Sequence, residues 1–137
     1  MTSDTKVLLK HTKIRNFHKG DAIIHEGAAP EDEMYFILEG EVTIYKNRPE
    51  GEHEIEKRSL GQFFGEMALI GNQFRLATAR AASENVKIAV IDRVGFLNLC
   101  GRNPVFLFKL LKYAVSRLVA AETKLSRINK EIYDERQ

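Results

Sequence analysis

A chain of 137 residues, 44% of them apolar, can bury one sizeable core but has no room for two independent domains. Its opening, MTSDTKVLLK, lacks the apolar stretch of a secretory leader, and no apolar run approaches bilayer length, so a cytoplasmic location is expected. The formal charge of +2 hides an asymmetry: residues 1–101 carry 13 Lys and Arg against 15 Asp and Glu, and residues 102–137 carry 8 against 4. The C-terminal excess is spread along an expected helix, which reads as a solvated face or, alternatively, as a nucleic-acid surface.

Between Lys10 and about Ile91 short apolar runs alternate with turn residues, the pattern of many short strands. The runs are AIIHEG, MYFILEG, EVTIYKN, HEIEKRSL, LATARAA and VKIAVID. Val42 and Ile44 alternate with Thr43 and Tyr45, the period of two that gives a strand one inward face. Turns are expected at Gly20, at Gly27 and Pro30, at Gly40, and at Pro49 and Gly51. Strands this short and this tightly linked must wrap into a small barrel or roll to enclose a core.

The period changes after Asp92. RVGFLNLCGRNP predicts a short helix ending at Gly101, and Asn103 followed by Pro104 is an N-cap followed by the residue favoured at the first helical position. A helix is then expected to about Tyr133. Its Leu111, Leu118, Leu125 and Ile132 recur every seven residues, with Ala114, Ala121 and Ile128 between them, an a/d seam. The first turns, VFLFKLLKYAV, are apolar nearly all round and are expected to be buried against the roll. The later turns keep only a narrow stripe, which predicts parallel self-association through Leu111, Leu118, Leu125 and Ile132, or packing back onto the same chain. The lone Cys100 forms no internal disulfide, which suits a reducing compartment.

The stretch FFGEMALIGNQFRLATARA, Phe63 to Ala81, carries the chemistry. GEMALI fits a short helix from Gly65 to a stop at Gly71, and the free N–H groups at such a helix start attract anions. Arg75 adds a fork of donors suited to two phosphate oxygens, and Glu66 an acceptor suited to a hydroxyl. The pair describes a ribose phosphate cradle, or else only an ion pair between Glu66 and Arg75.

FFGEMALI followed by RLATARA resembles the phosphate-binding cassette of the cyclic nucleotide-binding domain family. FHKGDAIIHEG, MYFILEGEVTIY and IAVIDRVGFLNL with the following NP resemble, in the same order, the family's glycine-punctuated β-roll and closing helices. The resemblance spans roughly residues 14–125. It implies a mainly β fold, a jelly-roll-like roll over residues 1–101 with its cassette at 63–81 and a short helix. A long C-terminal helix over 102–137 would serve as lid and dimerisation element, all within one domain.

By the same resemblance Gly65 and Glu66 meet the ribose 2′-hydroxyl, and the Ala68 N–H faces the phosphate. Arg75 pairs with the cyclic phosphate, and the backbone at Leu76 and Ala77 approaches it. Val42 and Ile44 are candidates for the apolar wall around sugar and base. The purine cap is expected from the helix between Ala121 and Leu125, at Ala121, Glu122, Thr123 or Leu125, and Thr123 is taken as its site residue.

Leu76 departs from the family's usual Ser or Thr after the arginine, and loss of that hydroxyl bond is worth roughly 1.5–3 kcal/mol, about tenfold to a hundredfold in affinity. Relatives that regulate cAMP-dependent protein kinase carry alanine there and prefer cAMP, whereas threonine there accompanies cGMP. An apolar Leu76 therefore implies cAMP over cGMP as the ligand. Two further departures are a loop from Gly27 to Met34 one residue longer than usual and a nearly absent helix before the first strand. Family members like the catabolite activator protein continue from the long helix into a DNA-binding helix-turn-helix. This chain ends at DERQ without one, so no DNA binding and no membrane partner are expected.

Three functional classes follow. The first is a cyclic nucleotide sensor that signals through its C-terminal helix, with a separate effector protein as partner. The second is a ligand-silent adaptor that uses the heptad helix. The third is an enzyme or metal protein, for which His11, His18 and His25 at sevenfold spacing are the sole prompt. No catalytic residue and no metal are expected, because no His-x-His with a carboxylate occurs and no Ser or Cys has a visible activating partner.

Overall fold

The computed structural model describes residues 12–29, 31–70 and 74–136. The segment before the first strand, His11, Pro30 and Gly71, each part of a reading above, lies outside them. Eight strands form two antiparallel four-stranded sheets among the described residues. One sheet runs β1 (Lys13–His18), β8 (Asn85–Asp92), β3 (Glu33–Glu39), β6 (Phe63–Phe64). The other runs β2 (Ala22–Ile24), β7 (Thr78–Ala81), β4 (Glu41–Arg48), β5 (Gly51–Ser59). Three helices are described: α1 (Met67–Ile70), α2 (Arg93–Arg102) and α3 (Pro104–Glu135).

The chain folds this way because consecutive strands, β4 and β5 excepted, change sheets and bury one common interior. Ile24, Val42, Ala79 and Ala81 come from one sheet, and Tyr35, Ile37, Phe64, Val86, Ile88 and Val90 from the other. Each set sits at alternate positions, so the period of two puts them on inner faces. The centre of the first sheet is buried on its second face too, where Met34, Phe36, Ala89 and Ile91 lie. MYFILEG and VKIAVID are therefore almost continuously apolar. Neither β1 nor the two-residue β6 is among the runs quoted above; β6 pairs Phe64 with Tyr35 and Phe63 with Phe36, and its brevity hides the alternation that reveals longer strands.

Gly40 makes the passage from β3 to β4. Its φ is +90°, and a Cβ there would run into the Asn85 carbonyl oxygen and lie 2.8 Å from Ser83 Oγ. Gly20 has a similar φ, +93°, with nothing within 4 Å of the same position.

Backbone contacts divide the chain into two compact units, Met1–Asn98 and Leu99–Gln137, with the boundary inside α2. Asp92 caps α2 by accepting the Gly95 N–H at 2.7 Å. Asn103 caps α3, its Oδ1 accepting the Phe106 N–H at 3.2 Å with Pro104 at the first helical position. The first turns of α3 are less buried than their composition suggested. Phe106 and Leu110 are buried, whereas Val105, Leu107, Phe108 and Leu111 are exposed. Residues four apart share one helix face, so a single packed face takes Phe106 and Leu110 and leaves their neighbours outside it. No helix among the described residues is long and apolar enough to cross a membrane.

The two glycines separate backbone strain from steric collision. Gly20→Ala is expected to lose about 1–2 kcal/mol, the cost of a left-handed backbone alone. Gly40→Ala is expected to lose on the order of 3 kcal/mol or more, since the neighbouring carbonyl must also move. Urea denaturation of both variants measures the difference, and equal losses would show that the Asn85 carbonyl imposes no constraint.

Candidate functional site

The cassette leaves β6 at Gly65, passes Glu66 into α1 and returns through Phe74 to Ala77 into β7. Gly65 has φ +76°, and a Cβ there would lie 3.0 Å from Ile24 Cδ1, 3.0 Å from Tyr35 Cδ2 and 3.1 Å from Arg75 Nη1. Both the backbone angle and the crowding require glycine. The helix that follows is a single four-residue turn, bonded from the Leu69 N–H to the Glu66 carbonyl at 3.1 Å. A helix this short sums few peptide dipoles and contributes little macrodipole.

Arg75 is buried, with 7% of its surface exposed. Its Nη1 donates to the Gly65 carbonyl at 2.9 Å, and its Nη2 to the Glu33 carbonyl at 3.1 Å and to the Tyr35 hydroxyl at 3.5 Å. The guanidinium carbon lies 5.6 Å from the Tyr35 ring centroid, in cation–π range. The main chain is fixed as firmly: the Arg75 N–H donates to Ala28 O at 2.9 Å and its carbonyl accepts the Gly27 N–H at 2.7 Å. Two carbonyls and a hydroxyl, each neutral, thus accept from the guanidinium.

Tyr35 and Glu33 are the residues that sequence reading missed. Tyr35 stacks on Phe64 with centroids 5.2 Å apart, and its hydroxyl donates to Glu33 Oε1 at 3.2 Å. Burial, with Glu33 nearby, pushes the Tyr35 phenol up to about 12. Burial also raises the Glu33 carboxyl above its ordinary range, opposed by Arg15, whose Nη1 lies 3.5 Å away. The signal was present in EMYFILEG, residues 33–40: Glu33 and Tyr35 are two apart, hence on one face, and Tyr35 puts that face inward.

The remaining site residues are distributed as follows. Ala68 is buried, Glu66 and Ala77 are half-buried, and Leu76 is 49% exposed. Val42, at 0% exposure, is core, and Ile44 packs against the core. In register they lie opposite Ala81 and Ala79 of β7, which places them beside the strand that leaves the cassette. On their other side they face Arg58 and Glu56 of β5, which form an ion pair. Opposite residues in an antiparallel pair share a face, so an ionic pair shares the inner face with the expected apolar wall. Thr123 lies in the second unit, exposed, its hydroxyl donating to the Val119 carbonyl at 2.9 Å. Among the described residues no group of three His, Cys, Asp or Glu is placed to hold a metal ion.

Comparison with known proteins follows the same lines. The model of the cyclic nucleotide-binding domain matches residues 14–103. The cAMP-dependent protein kinase type II regulatory subunit of Drosophila melanogaster is 38% identical over 87 residues, 64% of this chain and 23% of that protein. The chain therefore spans about a quarter of that relative's length. The catabolite activator protein of Thermus thermophilus superposes with a TM-score of 0.82 at 23% identity, over 94% of this chain and 60% of that one, a likeness of fold. The cGMP-bound form of the EAL enzyme Bd1971 has a TM-score of 0.60 at 33% identity, over 77% of this chain and 28% of that one. With its roll of two antiparallel sheets, its glycine-hinged cassette and its buried arginine, this chain belongs to the cyclic nucleotide-binding domain family.

Proposed function

We propose that the chain binds cAMP as a regulatory sensor module and signals through α3. The observation that carries this reading is Arg75, a buried cation met by neutral acceptors at the mouth of the cassette. A guanidinium so placed gains most from an anion, and a cyclic phosphate supplies the charge that Gly65 and Glu33 carbonyls do not. In this reading Glu66 accepts the ribose 2′-hydroxyl next to Gly65. Backbone N–H groups at Ala68, Leu76 and Ala77 meet the phosphate, Val42 and Ile44 border the sugar, and the helix around Thr123 caps the purine. Leu76 offers no hydroxyl to a guanine amino group, which favours cAMP, as does the name of the Drosophila relative. The Bd1971 structure makes cGMP the competing ligand to test. The role is binding without catalysis, in a cytoplasmic protein, with ligand acting by differential affinity for two arrangements of α3.

The same reading makes α3 the self-association surface. Leu111, Leu118, Leu125 and Ile132 are exposed on the helix. In a parallel pair each g position faces the e position five residues on in the other copy. That sets Arg117 opposite Glu122 and Glu131 opposite Arg136, two opposite-charge pairs, with Lys124 opposite the neutral Asn129. One observation favours a ligand-silent adaptor as the second reading: Arg75 already has acceptors, and Leu76 lacks the usual hydroxyl.

Calorimetry on protein stripped of nucleotide separates the two. The sensor is expected to bind cAMP more tightly than cGMP, and Arg75→Ala to weaken binding by about a hundredfold or more through lost charge-assisted bonds. No heat up to millimolar cAMP would leave the adaptor. For α3, sedimentation is expected to show a dimer that Leu118→Glu converts to monomer; a wild-type monomer at high concentration would end the self-association reading.

A further inference from the structure

We infer that Glu33 is a positioning residue for the phosphate-binding arginine, its carboxylate holding Arg75 in place through the Tyr35 hydroxyl while opposing an incoming anion. The inference rests on the reading of Arg75 as the phosphate ligand. Glu33 addresses the same nitrogen twice: its carbonyl accepts Nη2 at 3.1 Å, and its carboxylate accepts the hydroxyl that Nη2 reaches at 3.5 Å. The tyrosine ring is clamped by Phe64, so the hydroxyl has a fixed position between cation and carboxylate. Guanidinium to hydroxyl to carboxylate is a directional chain, and it is complete without ligand.

The charged and titratable groups around Glu33 are few. Arg15 on β1 pairs with it at 3.5 Å, the Glu31 side chain hydrogen-bonds its carboxyl and helps to raise it, and Asp92 lies opposite on β8. Asp32 is engaged by Arg93, with Nη2 at 2.6 Å from Oδ1. Tyr35 and Arg75 belong to the same group. A phosphate arriving at Arg75 therefore meets one cation that is already turned toward a carboxylate. Ionised Glu33 fixes the geometry and repels the ligand; neutral Glu33 keeps an acceptor for the hydroxyl and loses the repulsion. Ligand then binds more tightly to the protonated form, so affinity rises as pH falls through the Glu33 carboxyl. Burial lifts that carboxyl above the ordinary glutamate range.

Two variants pull in opposite directions, which loss of structure alone would not produce. Glu33→Gln keeps the acceptor and removes the charge, and is expected to tighten cAMP binding at pH 7.5 by about threefold to tenfold. Tyr35→Phe keeps the charge and breaks the chain, and is expected to weaken binding severalfold by freeing Arg75. Calorimetric titration of the wild type between pH 7.5 and 5 is expected to show affinity rising as pH falls, and Glu33→Gln to flatten that profile. Equal or weaker binding by Glu33→Gln at pH 7.5, or a wild-type profile that is flat or falls toward acid, overturns the inference. If the wild type binds cAMP and Arg75→Ala abolishes it while Glu33→Gln changes nothing, the inference alone is lost. If the wild type does not bind, the reading of Arg75 falls and the inference with it.

Discussion

Arg75 lies buried against the cassette because Gly65 has no side chain to occupy that space, and much of the site's geometry follows from that contact. A Cβ at Gly65 would sit 3.1 Å from Nη1, against Tyr35 and Ile24 as well. With the space open, the Gly65 carbonyl can accept Nη1, and the guanidinium spans from the cassette to β3 while its main chain bonds the loop after β2. Removing a guanidinium from water is costly unless its donors are met. Here they are met by carbonyls, a hydroxyl and a ring face, which satisfy hydrogen bonding without supplying a counter-charge. Under the proposed reading the site is formed in advance, and an anion would add the charge that these acceptors do not supply.

The start of β3 has a second attachment. Asp32 adopts φ +58°, the left-handed region that aspartate tolerates better than most residues. Its carboxylate takes a two-pronged bond from Arg93, the first residue of α2, with Nε at 3.1 Å from Oδ2 and Nη2 at 2.6 Å from Oδ1. That bond holds the Asp32 carboxyl below the usual carboxylate range. Consecutive residues therefore face two arginines, Asp32 the helix and Glu33 the cassette. The loop before β3 cannot shift without disturbing both, which explains why a surface turn carries an unusual backbone angle.

What was legible in the sequence was local. Gly40 marked a reversal because a left-handed glycine is a property of one residue, and Asn103 with Pro104 marked a helix start because capping reaches only three residues ahead. The family was legible because the cassette is contiguous. The partners of Arg75 were not, since Glu33 and Tyr35 stand about forty residues earlier and meet it only through strand pairing. The ionic pair on the inner face of β5 escaped for a related reason: only the register of HEIEKRSL against β4 turns Arg58 inward beside Val42. Composition also overstated burial at the start of α3, where apolar residues surround the helix but one face is packed.

Those exposed residues bear on how the proposed sensor would convey a signal. Fully burying a leucine or isoleucine is worth about 1.5–3 kcal/mol, so the stripe from Leu111 to Ile132 leaves a substantial free energy unrealised in a lone chain. Under the proposed pairing of copies, that energy depends on how α3 is presented, and ligand bound at the cassette shifts it by mass action if one presentation binds ligand better. The narrow stripe suits such coupling. A wide apolar face would hold the pair together in either arrangement, whereas a two-sevenths seam with two complementary charge pairs is responsive to small changes in helix position. Under the two proposals, an anion would complete the charge at Arg75 and a second copy the burial along α3.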